Sequence, residues 1–105
     1  MLGLFIVWYV YVLKSDQNGS YYKGSTNDVL RRLQEHNAGE EKYTSKYRPW
    51  RLLWFAEKQS RSEALALERK LKNITSVSRL EAFIKKYSVV GPDAPIGGLD
   101  ADKPA

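Results

Sequence analysis

The sequence contains no cysteine and a single histidine, His36. Without thiols neither a disulfide scaffold nor a cysteine-based zinc site can form, and one imidazole excludes a histidine-cluster metal centre. Long hydrophobic runs are also missing. The longest, Leu2 to Leu13, spans about 12 residues, short of the roughly 20 that a membrane-spanning helix needs. No cationic segment precedes it and no small-residue cleavage site follows, so it reads as a strand rather than an export signal. The expected setting is therefore cytoplasmic, with no membrane partner. Acidic side chains are the minority: 12 Asp and Glu stand against 17 Lys and Arg, a net charge of +5. Asp93, Asp100, Asp102 and Lys103 fall in the last fifteen residues, which leaves 16 bases and 9 acids in residues 1–90. A body this basic points to a polyanionic partner, with nucleic acid first among them.

What is present bounds the architecture. A length of 105 residues suits one domain and one core, and 43% hydrophobic with 28% charged residues excludes a disordered or collagen-like chain. No internal repeat is visible. Residues 91–105 hold three of the four prolines and few large aliphatics, so a folded domain over 1–90 and a flexible tail over 91–105 are expected. Phe5 to Leu13 is apolar on both alternations, as a central strand covered on two faces would be. Asp16-Gln17-Asn18-Gly19 is a turn signal, and Ser20 to Ser25 returns as an antiparallel edge strand containing Lys23. Thr26 or Asn27 can cap a helix beginning at Asp28, with Val29, Leu30 and Leu33 as its apolar face and Gly39 as its stop. A polar loop leads to Pro49 and a third strand, Trp50 to Glu57. Ser60 with Glu63 forms a capping box for a helix to about Asn73. Ser76 or Ser78 opens another, with Val77, Leu80, Ile84 and Tyr87 at helical spacing. The order ββαβαα predicts an α+β fold: a small three-stranded antiparallel sheet flanked by helices.

Several side chains could carry chemistry. A hairpin loop of two or four residues places Tyr11 and Leu13 on the same sheet face as Tyr22 and Gly24. Two hydroxyls would then share a face beside a glycine that leaves backbone open to a ligand, although strand tyrosines with marginal hydroxyls are common. Arg31 falls among polar neighbours and should face water. Arg32 and His36, four apart on the flank of the apolar stripe, project together as groups suited to one phosphate, with a solvated Asp28–Arg32 pair as the plainer account. Glu68 stands among Ala64, Leu65 and Leu71, where a carboxylate costs free energy unless a metal ion or basic partner compensates or the side chain snorkels. Lys42 to Arg51 interleaves the cations Lys42, Lys46, Arg48 and Arg51 with Tyr43, Tyr47 and Trp50, and contains no acid. Such a segment can contact phosphates and stack on bases, or it can pack its rings inward and leave the cations solvated.

Taken in order, the motifs Tyr9-Val10-Tyr11, Tyr22-Lys23-Gly24, Asn27 to Asn37, Lys42-Tyr43-Thr44, Arg48-Pro49-Trp50 and Glu63 to Glu68 with Leu71-Lys72 resemble the GIY-YIG nuclease superfamily, in particular its small stand-alone members. The match runs from Tyr9 to Lys86. Tyr9 and Val10 replace the glycine and isoleucine of the first name-giving triplet, and Lys23 replaces the middle isoleucine of the second. The resemblance implies that the motif tyrosines are Tyr11 and Tyr22, the essential arginine Arg32, a frequent helical histidine His36, and the metal-binding glutamate Glu68. It further implies an endonuclease hydrolysing nucleic-acid phosphodiesters, DNA above all, with one Mg²⁺ or Mn²⁺ and a role in repair or recombination. Gly24, Lys42, Tyr43, Lys46, Arg48 and Lys72 would contact the nucleic acid. Tyr11 would help deprotonate the attacking water with its pKa lowered by nearby cations or the metal, and His36 could assist proton transfer. Two other readings stay open: a binding module of the same fold without catalysis, and a protein-interaction domain whose charge serves solubility. Whether a protein partner supplies specificity is open as well.

Overall fold

The computed structural model describes residues 6–88. The expected tail over 91–105 lies outside the described residues. Three strands form one antiparallel sheet in the order β2-β1-β3: β1 Trp8–Ser15, β2 Tyr21–Thr26 and β3 Trp50–Lys58. Four helices accompany them: α1 Val29–Asn37, α2 Lys42–Ser45, α3 Arg61–Lys72 and α4 Val77–Lys86. α2 is a single turn within the stretch expected as a polar loop. With it set aside the order is ββαβαα, the expected α+β arrangement. Two compact units divide the chain at Lys72, the sheet with α1–α3 in the first and α4 in the second. Among the described residues no helix is long and apolar enough to cross a membrane.

β1 is central because its residues are apolar on both faces. Val10, Tyr11, Val12 and Leu13 are all buried. The strand starts three residues later than expected and continues to Ser15, whose buried hydroxyl ties the turn together. Ser15 Oγ donates to the Tyr47 carbonyl at 2.7 Å and accepts from Gln17 N at 3.0 Å and Asn18 N at 3.1 Å. The hairpin uses the four-residue loop Asp16–Gly19, with Ser15 N donating to Ser20 O across it and Gly19 in the left-handed region at φ 78°. Tyr11 therefore faces Gly24 and Leu13 faces Tyr22, so both motif tyrosines lie on one face.

A bulge in β3 redistributes the aromatics. Val12 pairs with Trp54 but Leu13 pairs with Leu52, leaving Leu53 as the extra residue. Trp50, opposite Ser15, thus joins Tyr11 and Leu13 in one core, with Tyr22, Leu33, Tyr47 and Leu52 packed against them. Trp54 goes to the opposite face with Val10 and Val12. That face is covered by α3, whose Ala64 and Leu71 are buried.

α1 covers the tyrosine face. Its cap is Asp28, which accepts from Arg31 N at 3.0 Å, and not Thr26 or Asn27; Thr26 Oγ1 instead accepts from Asp28 N at 3.1 Å. Leu30, expected on the apolar face, is 68% exposed, because the inward stripe runs through Leu33 to His36. The capping serine of α3 is Ser60, which accepts from Glu63 N at 3.1 Å, while Glu63 reaches back to Gln59 N at 3.3 Å. Ser76 caps α4. Within α4 Leu80 is buried, whereas Val77 and Tyr87, expected on its apolar side, are exposed.

Candidate active site

β1 and β2 present Tyr11 and Tyr22 side by side, with ring centroids 6.3 Å apart, and the inward stripe of α1 sets His36 against both. The Tyr11 hydroxyl is 3.0 Å from His36 Nε2, and His36 Nδ1 is 2.8 Å from Thr44 Oγ1 on α2. Tyr11 is 2% exposed and both His36 and Thr44 are 0% exposed. Arg32, one turn before His36, brings its guanidinium near both phenols, where its charge favours their ionised forms. Its own donors are held by Glu35 Oε1 at 2.9 Å and Glu41 Oε2 at 3.3 Å, in place of the pairing with Asp28 considered from sequence.

The electrostatics follow from burial. The His36 imidazole is pushed down to about 4, first by desolvation and then by the Arg32 charge, so it is neutral near pH 7. Burial raises the Tyr11 phenol well above its ordinary value, with Tyr22 and the Glu68 charge adding to this, and Arg32 only partly offsets them. Of the cations expected to lower Tyr11, Arg32 does act in that direction but is outweighed by burial. Tyr22 is raised too, by burial and by Glu41. Burial works against the Arg32 charge, but the hydrogen bond it donates to Glu35 and the neighbouring Tyr11 phenol outweigh it and keep the guanidinium ionised.

Glu68 approaches from the other side of β2. Ser25 Oγ donates to its Oε1 at 2.7 Å and Lys72 Nζ lies 2.7 Å from its Oε2, leaving the side chain 16% exposed. The Ser25 side chain points to the α3 face, so the carboxylate and the phenols flank the edge strand, with Gly24 next to Ser25 in the chain. Tyr11, Tyr22, Arg32 and His36 are in mutual contact; Glu68 adjoins them through the field it exerts on Tyr11, without a hydrogen bond to any of them. Among the described residues no three His, Asp or Glu side chains converge on one point. A divalent ion here would rest on Glu68 alone. That donor set fits Mg²⁺, which keeps several waters and takes phosphate oxygens as ligands, and an ammonium already sits on Glu68 Oε2.

Gly24 does not leave backbone open to a ligand as expected. It is buried, and a Cβ there would lie 2.6 Å from the Tyr11 hydroxyl oxygen, so the glycine is what admits the phenol. The segment around α2 divides. Lys42, Lys46 and Arg48 are exposed, and Tyr43 is 49% exposed with its ring stacked at 28° on Tyr22. Trp50 is buried, its indole N–H donating to the Thr44 carbonyl at 2.8 Å, so it offers no ring to a base. Arg51 pairs with Asp16 at 2.7 Å, away from the phenols. Sequence reasoning missed Ser25, Glu41 and Thr44. Parity puts Ser25 on the face opposite the tyrosines, but nothing in the sequence gives the position of α3 along that face.

A family profile described as GIY-YIG catalytic domain matches residues 7–86. The chain belongs to the GIY-YIG family. Among its GIY-YIG relatives is a UPF0213 protein of Listeria monocytogenes serovar 1/2a, 47% identical over 79 residues that cover 74% of this chain and 87% of that protein. A UPF0213 protein of Cupriavidus pinatubonensis is 41% identical over 80 residues, covering 75% of this chain and 87% of its own. The solution NMR structure of a UPF0213 protein from Bacillus halodurans shares the fold at a TM-score of 0.52 and 33% identity, covering 90% of this chain and 97% of that one. The GIY-YIG domain makes this a family of nuclease type.

Proposed function

We propose that the protein is a metal-dependent endonuclease that hydrolyses phosphodiester bonds of nucleic acid, DNA in the first instance, in repair or recombination. The observation that carries this reading is the contact of Tyr11 with a neutral His36 at 3.0 Å beneath the Arg32 guanidinium, with the Glu68 carboxylate just across the edge strand. Arg32 has the planar fork to take two oxygens of the scissile phosphate. Because Glu35 and Glu41 hold that fork in the free protein, an incoming phosphate exchanges for a carboxylate, and the longer Glu41 contact is the one to yield. Arg32 then offsets the charge that develops in the transition state. Tyr11 orients the attacking water and helps remove its proton, with His36 as its proton partner. Tyr22 orients water or phosphate from the same face. Glu68 would hold one Mg²⁺ or Mn²⁺, and Lys72, now on its Oε2, would be released toward the phosphate backbone. The bound ion would supply stabilisation of charge on the leaving side. Lys42, Lys46 and Arg48 contact neighbouring phosphates, and Tyr43 offers a ring face.

The test is incubation of the full chain with single-stranded, duplex and branched DNA and Mg²⁺ or Mn²⁺, beside Glu68→Ala. Cleavage by the wild type is expected, falling on the order of 100-fold or more in the variant. A second reading, a nucleic-acid-binding module without catalysis, has one observation in its favour: Ser25 and Lys72 already satisfy both Glu68 oxygens without any metal. Binding by both proteins with cleavage by neither would select it. Equal cleavage by both would remove Glu68 from the site.

A further inference from the structure

We propose that Thr44 is a positioning residue that fixes the tautomer of His36, holding the proton on Nδ1 so that Nε2 is the bare nitrogen facing the Tyr11 hydroxyl. The inference rests on the catalytic reading of Tyr11 and His36 given above, but the geometry behind it is independent of any activity. At one end, Thr44 Oγ1 is 2.8 Å from His36 Nδ1 and 3.5 Å from the Glu41 carbonyl oxygen. With its single proton turned to that carbonyl, at the long limit of a hydrogen bond, the Thr44 hydroxyl offers a lone pair to Nδ1. With the imidazole neutral, Nδ1 then carries its one proton. At the other end, the nearby Arg32 guanidinium has no lone pair and cannot take the Tyr11 proton. The Tyr11 proton still needs an acceptor, and among the described residues His36 Nε2, at 3.0 Å, is the one in reach. The Tyr11 end requires this tautomer, and the Thr44 end accommodates it through the Glu41 carbonyl.

Thr44 is also held rigidly enough for this role. Its carbonyl accepts the Trp50 indole N–H at 2.8 Å and the Tyr47 N–H at 3.1 Å, and its side chain is fully buried. Replacing the hydroxyl by a methyl group would leave a buried Nδ1–H with no partner, and the imidazole avoids that by carrying its proton on Nε2. Two protons would then meet between His36 and Tyr11. In the reaction, the Tyr11 O–H bond breaks as a proton from the attacking water bonds to the Tyr11 oxygen. The departing proton bonds to Nε2, giving an imidazolium with its Nδ1–H still on Thr44 and a hydroxide that attacks phosphorus. The other tautomer has no lone pair on Nε2 to receive that proton.

Because His36 is the chain's single histidine, a long-range ¹H–¹⁵N correlation spectrum of the full chain at pH 7 shows one imidazole and reads its tautomer directly. Wild type and Thr44→Ser are expected to show the proton on Nδ1, and Thr44→Val to show it on Nε2. Thr44→Ala, which cannot clash, repeats the comparison if the valine variant does not fold. In the cleavage assay kcat should fall by about tenfold to a hundredfold in Thr44→Val or Thr44→Ala with KM little changed, and Thr44→Ser should restore it. A proton on Nε2 in the wild type, or on Nδ1 in the valine or alanine variant, would overturn the proposal. If the wild type cleaves nothing while the tautomers behave as stated, the positioning role stands and the catalytic reading alone fails.

Discussion

His36 occupies a place where an aliphatic residue would ordinarily complete the inward stripe of α1, and the fold keeps it uncharged by burying it beside Arg32. Its proton affinity is therefore lower in the native state than in the unfolded chain. The unfolded chain binds the extra proton, so stability is complete above the unfolded value of about 6.5 and is lost as pH falls toward the native value of about 4. Between pH 7 and 5 the loss should reach about 2 kcal/mol, in a window that contains the ordinary pKa of histidine and of no other side chain. Urea unfolding at several pH values should show this decline in the wild type and its absence in His36→Asn. A flat wild-type profile over that range would mean that the imidazole is not held neutral.

Among the elements, the join between α1 and β3 decides whether the site exists. Asn37, the last residue of α1, donates through Nδ2 to the Trp50 carbonyl at 2.9 Å and accepts through Oδ1 from the Trp50 N–H at 2.6 Å. One side-chain amide thus mimics a neighbouring strand and fixes the end of the helix bearing Arg32 and His36 to the strand beside β1. Asn37→Ala leaves two backbone groups of a buried residue without partners, at a cost of about 2–3 kcal/mol in chemical denaturation. A loss under about 0.5 kcal/mol would show that solvent replaces both bonds. Such joins were the part of the fold not legible in the sequence. That Tyr11 and Gly24 share a sheet face was legible, because either even-length hairpin loop gives the same parity, but which residue faces Tyr11 depends on the four-residue loop that forms. The placement of Arg32 beside His36 followed from helical spacing alone. Trp50 and Trp54 were not separable, since only the bulge at Leu53 sends two residues of equal parity to opposite faces. Thr44 was not legible either: its contact with His36 depends on how the chain turns through Gly39, at φ 83°, into a helix too short to have a period.

Across the molecule the question is where the excess positive charge can act. In the sheet unit, exposed cations stand on the two sides of the phenol cluster: Lys42, Lys46 and Arg48 around α2, and Lys72 beside Glu68. Arg51 is the contrast, because it is paired with Asp16 on the opposite sheet face. A nucleic-acid strand crossing the cluster would meet the first group and not the second. Each phosphate so neutralised releases condensed counterions, adding about 0.7 to 0.9 to the slope of log K against log salt concentration. Binding of labelled DNA measured at several salt concentrations should therefore lose roughly one such increment in Lys46→Ala and again in Arg48→Ala. Arg51→Ala should leave the slope within error of the wild type. Glu68→Ala, which frees Lys72 from its carboxylate, should tighten binding or leave it unchanged while cleavage falls. If Arg51→Ala changed the slope as much as Lys46→Ala, the strand would follow the general field of a basic protein instead of a track across Tyr11, Tyr22 and Arg32, and the placement of the scissile phosphate would have to be abandoned.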